Sequence, residues 1–173
     1  MTVTPEKHTA MSASSNTFDV VIRCNGKAVG KMRNEARVDI VEPFVESHEI
    51  ASDEGPFHGG DGSAPPPLTY FVGGFVTCLM TQIRAFAKRF RIALDTLEVD
   101  AEFQWKGLTE PGKPYRAQPV GIRLDIQIAS DAGQNRIIEL INAAKQGCFV
   151  EAVISERMKV VHRLKTPDGW IDC

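Results

Sequence analysis

Two of the four cysteines in this chain, Cys78 and Cys148, lie where thiol chemistry is possible. Cys78 lies in an apolar stretch beside Val76 and Leu79, where a lone cysteine is most often a small core residue. Burial disfavours the thiolate form, so a nearby cation would have to offset the desolvation. Cys148 precedes a short predicted helix, whose first backbone N–H groups favour a thiolate. Two functional thiols fit this pattern, and four inert thiols fit it too.

The spacing of the cysteines argues against a metal site. They stand at positions 24, 78, 148 and 173, with no C-x-x-C pair, whereas zinc ligands usually come in close sequence pairs. We therefore expect no metal and no other cofactor. The polar opening MTVTPEKHTAMSASS has no apolar signal region. The protein is therefore expected to be cytoplasmic, where structural disulfides are disfavoured.

Composition argues against nucleic acid and membranes as partners. Of the 173 residues, 43% are apolar and 24% are charged, which is an ordinary globular balance for one domain. The net charge of −2 lacks the basic surplus of a general nucleic-acid binder. The apolar run LTYFVGGFVTCLMTQI, residues 68–83, is shorter than the roughly 20 residues of a membrane helix. We predict a buried core helix there.

Two runs of alternating polarity predict strands that have one face on a core and the other in water. They are LEVDAEFQW and VGIRLDIQI, and the Gly- and Pro-rich segment KGLTEPGKPYRAQP between them predicts a long hairpin loop. Shorter strands are predicted at FDVVIRC, KAVGKM, ARVDIVE and ERMKVVHRL.

Three helices are predicted from apolar spacing and end signals. The first follows the Pro65–Pro67 run and extends to about Phe90, and Gly73 and Gly74 suggest that a second helix crosses it there. The second is expected to open at an N-cap, Ser130 or Asp131, and to end near Gly147; the short third helix begins at Cys148.

The predicted order of elements indicates the fold class. Strands and helices do not alternate one for one, so the chain is predicted to be α+β with antiparallel sheets. We expect a flexible N-terminal tail over residues 1–16 and a single domain over residues 17–173.

Two segments resemble the osmotically inducible and organic-hydroperoxide-resistance (OsmC/Ohr-like) family. The first is HEIASDEGPFHGGDGSAPPPLTYFVGGFVTC, and the second is QGCFVEAV, about seventy residues later. The resemblance extends from about residue 17 to the end of the chain and identifies it as a divergent member. It implies an OsmC-like fold, in which antiparallel sheets pack on long central helices in a swapped, intimate homodimer. The active sites then lie at the dimer interface.

The resemblance also implies a two-cysteine mechanism. Cys78 would reduce an organic hydroperoxide and become a sulfenic acid, Cys148 would form a disulfide with it, and an external thiol would reduce that disulfide. In the family an arginine of the first strands stabilises the thiolate, and a glutamate orients that arginine.

The chain departs from this pattern at three places. Leu68 and Thr69 occupy the position of the glutamate, and Phe149 replaces a proline. Lys27 matches the arginine, although a lysine lacks the guanidinium fork. The other candidate cations are Arg23, Arg33 and Arg37.

Two functions therefore remain open. One is thiol-dependent reduction of organic hydroperoxides by Cys78, Cys148 and Lys27. The alternative is a non-peroxidatic protein that binds a small apolar ligand or another sulfur species at the dimer interface, as the missing glutamate suggests.

Among the other polar residues, Glu151 could replace the missing carboxylate, although a solvated residue in the first helical turn is the simpler interpretation. The segment GGDGSAPPP lacks the lysine of a phosphate loop and is interpreted as a turn. His48 and His58 are expected to be structural or surface residues.

Overall fold

The computed structural model describes residues 17–156 and 160–173, so the predicted tail over residues 1–16 lies outside it. The chain divides into two compact units, one up to Pro66 and one from Pro67 onward. Antiparallel sheets and helices follow one another without regular alternation, which confirms the α+β prediction.

The first unit is an antiparallel sheet in the order β1–β2–β3. Its strands are β1 (Val21–Val29), β2 (Arg33–Glu42) and β3 (Glu46–Ser52). The prediction of a separate strand at KAVGKM was wrong, because Lys27 belongs to β1 and Gly30 has a positive φ of 73° in the turn that follows. The sequence analysis also missed β3, whose polar residues show no apolar alternation.

The loop between β3 and the first helix is closed around Asp53, which is 2% exposed. Its carboxylate accepts hydrogen bonds from the Ser63 backbone N–H at 2.9 Å and the Ser63 hydroxyl at 2.7 Å. These bonds, with that from the Glu54 backbone N–H, keep the pKa of the Asp53 carboxyl below its usual value. A Cβ at Gly60 would lie 1.9 Å from the Glu54 carbonyl oxygen, so only glycine fits this turn.

The second unit has its core between three helices and a hairpin. The helices are α1 (Pro67–Phe90), α2 (Gln134–Gly147) and α3 (Phe149–Ser155), and the hairpin strands are β4 (Thr96–Leu108) and β5 (Arg116–Ala129). The buried residues of α1 recur every four positions and meet two buried residues of α2; they are Phe75, Leu79, Ile83, Ala87, Leu140 and Ala144. Side chains on one face of β4 and β5 cover this core.

Pairing in the β4–β5 hairpin extends further than the sequence indicated. The strands pair from Thr96 with Ala129 to Leu108 with Arg116, past an irregularity at Gln104 and Trp105. The loop is therefore much shorter than the predicted segment KGLTEPGKPYRAQP. Pro119 fits within β5 near this irregularity, where the hydrogen-bond ladder is interrupted.

The start of α2 differs from the prediction. Its N-cap is Gly133, because the Ser130 hydroxyl donates instead to the Ala93 carbonyl at 2.6 Å and accepts from the Ala132 backbone N–H at 3.1 Å. The predicted end of α2 at Gly147 and the start of α3 just after Cys148 are confirmed.

No helix of the described chain crosses α1 at Gly73 and Gly74, contrary to the expectation from their small size. A Cβ added at either residue would meet open space. Helix α1 has 24 residues and is long and apolar enough to span a membrane. The core helix of a soluble protein can have the same length and composition, so this is weak evidence for a membrane span.

The described C-terminal segment forms a second hairpin rather than the single predicted strand. Strands β6 (Arg163–Thr166) and β7 (Gly169–Asp172) pair with each other, and Arg163 and Lys165 both lie over the Trp170 ring. The prediction at ERMKVVHRL placed the strand too early, and residues 157–159 of it lie outside the described residues.

Candidate functional site

The two predicted reactive cysteines lie in the second unit, one on a helix and one at the junction between two others. Cys78 lies in the middle of α1 and is partly exposed, next to the core stripe of that helix. Cys148 lies between α2 and α3, is the N-cap residue of α3 and is completely buried, with 0% exposure. The short connection therefore fixes the second cysteine at the junction of two helices.

Gly147 allows the α2–α3 junction to approach α1 closely. A Cβ at this position would lie 2.6 Å from Phe86 Cζ and 3.4 Å from Gln82 Oε1, both of which belong to α1. A side chain here, one position before Cys148, would force the Phe86 ring or the junction to shift. The close approach to α1 thus lies at Gly147 and not at Gly73 and Gly74, where the sequence analysis wrongly expected one.

The structure brings the two thiols into contact, although 70 residues separate them in sequence. The Cys148 thiol donates a hydrogen bond to the Cys78 sulfur. The pKa of the Cys148 thiol is raised to about 11, mainly by burial and also by this hydrogen bond, which stabilises the protonated form. Cys148 is therefore a neutral thiol at physiological pH.

This result corrects the expectation that the helix start would favour a Cys148 thiolate. The backbone N–H groups of Glu151 and Val150 do act to lower the Cys148 pKa, but burial has the larger effect. Neither N–H completes a capping hydrogen bond with the sulfur, and α3 has only seven residues. The dipole of so short a helix does not offset the loss of hydration.

Glu151 is not the solvated residue that its sequence position suggests. It lies in the first turn of α3 and is half-buried. Its Oε2 atom is buried and has no hydrogen-bond partner within the part of the chain that the structure describes. The sequence could not predict the burial of this carboxylate, because it depends on how α3 packs against the other helices.

Lys27 lies on β1 in the first unit, and its side chain is 72% exposed. Its ammonium nitrogen is 3.5 Å from Oε2 of Glu35. The two candidate arginines of β2, Arg33 and Arg37, make shorter polar contacts. Arg33 donates to the Ser63 hydroxyl at 3.0 Å, and Arg37 donates to Asp39 at 2.9 Å.

The two histidines near the glycine-rich loop are surface residues in ion-pair contact. His48 Nε2 lies 3.1 Å from Glu46, and His58 Nδ1 lies 3.3 Å from Glu54. Within residues 17–156 and 160–173, no group of three or more His, Cys, Asp or Glu side chains could bind a metal ion.

An apolar groove opens on the second unit, between α1, the β4–β5 hairpin and α3. We call it the aromatic groove; it has a volume of about 480 Å³, and its lining includes Phe71, Trp105, Pro119, Val120, Ile122 and Ile154. Phe71 precedes Cys78 by seven residues, so the two lie on the same face of α1 about 10 Å apart along the helix axis. Period-2 alternation indicated a buried face for Trp105, but at the irregularity in β4 this residue remains 39% exposed.

Comparison with protein families finds one matching model. The model described as OsmC-like protein matches residues 60–163. This range begins in the glycine-rich loop and includes α1, the β4–β5 hairpin, Cys78 and Cys148. Comparison with curated proteins finds no match.

Several solved structures share the fold of this chain. The crystal structure of an OsmC-like hydroperoxide resistance protein from Jannaschia sp. CCS1 is 44% identical, with 89% of this chain and 98% of that chain covered and a TM-score of 0.61. A structure of the organic hydroperoxide resistance protein OsmC from Legionella pneumophila is 20% identical, with coverages of 80% and 90% and a TM-score of 0.51. A putative osmotic stress induced and detoxification response protein from Psychrobacter arcticus 273-4 is 17% identical, with coverages of 78% and 87% and a TM-score of 0.55. The last two similarities concern the fold alone.

Proposed function

The chain belongs to the OsmC-like protein family, and from this membership we propose that it reduces organic hydroperoxides with thiols as the electron source. The solved relative at 44% identity is named an OsmC-like hydroperoxide resistance protein. The observation that carries the proposal is the contact between the Cys78 and Cys148 thiols. A two-cysteine mechanism requires such a contact, whereas inert core cysteines do not.

The proposed reaction has three steps. The Cys78 thiolate attacks the terminal peroxide oxygen and the O–O bond breaks, which leaves a Cys78 sulfenic acid and an alkoxide that takes a proton from solvent to become an alcohol. Cys148 then attacks the oxidised sulfur, forming a Cys78–Cys148 disulfide and releasing water. Two external thiols reduce that disulfide and become a disulfide themselves.

The exposure of the two sulfurs supports this assignment of roles. Cys78 is partly exposed, so a peroxide has access to it, whereas Cys148 is completely buried. The buried thiol is protected from peroxide and reaches only the neighbouring sulfur. This arrangement suits a resolving cysteine.

We assign the cation for the Cys78 thiolate to Lys27, the match to the arginine of the family. Its ion pair with Glu35 is exposed, and such pairs contribute little to stability. Lys27 could therefore exchange partners at small cost, whereas hydrogen bonds engage the guanidinium groups of Arg33 and Arg37.

Cysteine variants test the proposal directly. With cumene hydroperoxide and an external dithiol, Cys78→Ser should lose all peroxide-dependent thiol oxidation, because it lacks the attacking sulfur. Cys148→Ser should accumulate a Cys78 sulfenic acid, because its resolving partner is gone. The measurements are peroxide consumption and mass spectrometry after labelling with a sulfenic-acid-reactive diketone.

Cys24→Ser is the matched control, because Cys24 is an exposed cysteine of the first unit and should behave as wild type. Equal peroxide consumption by wild type and Cys78→Ser would refute the peroxidase proposal.

The second candidate function is binding of a small apolar ligand without peroxide chemistry. Two observations favour it: the absence of an acidic residue at Leu68 and Thr69, and the aromatic groove beside α1. An active wild type combined with an inactive Cys78→Ser would argue against this candidate.

We further propose that the protein is a cytoplasmic homodimer that uses an external thiol reductant. Helix α1 supports the dimer, because its first turns expose Leu68, Tyr70 and Phe71 beside the open surface at Gly73 and Gly74. Large apolar side chains grouped on one exposed surface usually mark an interface. Nucleic acid and membranes are not among the proposed partners.

A further inference from the structure

The unpaired Glu151 carboxylate is a polar group whose position the fold itself does not explain. Buried polar atoms in native proteins nearly always have a hydrogen-bond partner, and an exception calls for a reason such as a catalytic role. The Oε2 atom of Glu151 is buried without a partner among the described residues. A structural role would be expected to provide a donor for it.

Glu151 and Cys148 share the first turn of α3. Cys148 is the N-cap residue, and Glu151 is the third residue after it. In a capping box, the side chain at this third position reaches back toward the N-cap residue. The Glu151 backbone N–H acts on the Cys148 sulfur, so the Glu151 backbone lies beside that sulfur and its side chain begins there.

The proposed resolving step requires a proton acceptor. Cys148 is completely buried and its thiol is protonated at neutral pH, while its sulfur must become a nucleophile to attack Cys78. Bulk water does not reach a side chain with 0% exposure. The acceptor must therefore come from the protein.

Three titratable or charged residues of the described chain contact Cys148 or share its turn, one each from α1, α2 and α3. Helix α1 offers Cys78, which is the electrophile in this step. The last turn of α2 offers Lys145, an exposed basic residue whose side chain has no carboxylate. The first turn of α3 offers Glu151. Among the described neighbours of Cys148, Glu151 is the candidate that has both the charge and the position.

We infer that the Glu151 carboxylate accepts the Cys148 proton during disulfide formation, an inference that rests on the proposed function. The Cys148 S–H bond breaks, its proton passes to Glu151, and the sulfur electron pair forms the S–S bond with Cys78. The S–O bond of the sulfenic acid breaks, and the leaving hydroxyl takes the proton from Glu151 to become water. One sulfenic acid and one thiol thus give one disulfide and one water, with no other reactant.

The test follows the two oxidation steps separately in reduced wild type and in Glu151→Gln after one equivalent of cumene hydroperoxide. Diketone labelling reports the Cys78 sulfenic acid, and mass spectrometry reports the disulfide. Glu151→Gln should form the sulfenic acid at the wild-type rate but the disulfide about 100-fold more slowly at pH 7. Its disulfide rate should rise about tenfold per pH unit from pH 7 to 10, as the Cys148 thiolate fraction rises, while the wild-type rate stays nearly constant.

Two further variants make the test specific. Glu156→Gln removes the same charge at the exposed end of α3 and should match wild type. Glu151→Asp keeps a carboxylate, so it should form the disulfide faster than Glu151→Gln and with the flat pH profile of wild type. If Glu151→Gln does not fold, the pH profile of Glu151→Asp decides the test instead.

The outcomes separate the inference from the proposed function. If Glu151→Gln forms the disulfide at the wild-type rate with the wild-type pH profile, the inference is overturned and the peroxidase proposal stands. If the Glu151→Gln variant forms sulfenic acid slowly, Glu151 acts in the first step and the inference is again wrong. If wild type forms no sulfenic acid, the proposed function fails and the inference fails with it.

Discussion

At the scale of single residues, the environment of Cys148 is the strongest departure from what its position in the sequence suggests. A cysteine before a helix is expected to ionise easily, yet burial makes this one a weak acid. The decisive quantity is solvent exposure, which depends on residues of α1 and α2 far away in sequence. Helix periodicity indicates which face of α1 is buried, but not that the α2–α3 junction is buried against it.

The raised Cys148 pKa predicts a loss of stability in alkali. The folded state binds the thiol proton more tightly than the unfolded state, so this contribution is complete below pH 9 and disappears as the pH rises toward 11. The free energy of unfolding should fall across this window by up to about 1.4 kcal/mol per pH unit because of Cys148. Urea denaturation of wild type and Cys148→Ser between pH 8 and 11 measures the difference.

Other groups titrate in this range as well, but they are common to both proteins. Parallel pH profiles for wild type and Cys148→Ser would mean that Cys148 is not buried in solution as it is in the structure.

At the scale of elements, the contact between Gly147 and α1 determines where Cys148, the proposed resolving cysteine, lies. Gly147→Ala should cost about 1–3 kcal/mol, because the new methyl group would overlap the Phe86 ring and either that ring or α3 must move. It should also slow formation of the Cys78–Cys148 disulfide by displacing Cys148. Chemical denaturation and mass spectrometry of the oxidised protein measure the two effects.

Gly133→Ala is the matched control at the opposite end of α2. A Cβ there meets no atom within 4 Å, and the φ of −61° suits any residue. If Gly147→Ala were as stable as this control and formed its disulfide as quickly, close packing at Gly147 would not be what positions Cys148.

The elements that the sequence predicted well are those with strong periodicity. The apolar positions of α1 and the alternation in LEVDAEFQW correspond to the helix and strand observed. The prediction missed β3, because a strand whose residues are mostly charged or small, ESHEIAS, gives no alternation to detect. It misplaced the start of α2, because the Ser130 hydroxyl is used in a contact with the distant residue Ala93.

At the scale of the whole molecule, most of the apolar surface of α1 is left uncovered by the rest of the described chain. Only 22% of its most apolar window is buried. Light scattering at micromolar concentration should give about twice the chain mass of 19.0 kDa. Gly74→Arg should shift the protein toward monomer, because its side chain would extend from open surface into the proposed interface.

Gly133→Arg is the corresponding control, because the site is equally open and is the N-cap of α2, away from α1. A wild type that remains monomeric under these conditions would contradict the proposed homodimer. Equal dimerisation of Gly74→Arg and wild type would place the interface elsewhere.

Two sequence segments were enough to predict the family, whereas the surroundings of the candidate site could be predicted only in part. The family resemblance led to the prediction of Cys78 and Cys148, but no sequence pattern indicates that Glu151 is half-buried or that Trp105 borders a groove. Both features arise from the packing of α3 and from the irregularity in β4. Packing between distant segments is the part of this site that sequence patterns do not determine.

The unequal exposure of the two sulfurs has a consequence for how the oxidised protein returns to its reduced state. An incoming thiol can reach only the Cys78 side of the disulfide, so the transient mixed disulfide should form there, with Cys148 as the leaving group. A thiol of high pKa leaves slowly, and the pKa of the Cys148 thiol is about 11. In the proposed mechanism, access would therefore determine which sulfur the reductant attacks, and the buried Cys148 sulfur would limit the rate. If the proposed mechanism holds, the disulfide form should therefore be the form that accumulates during turnover.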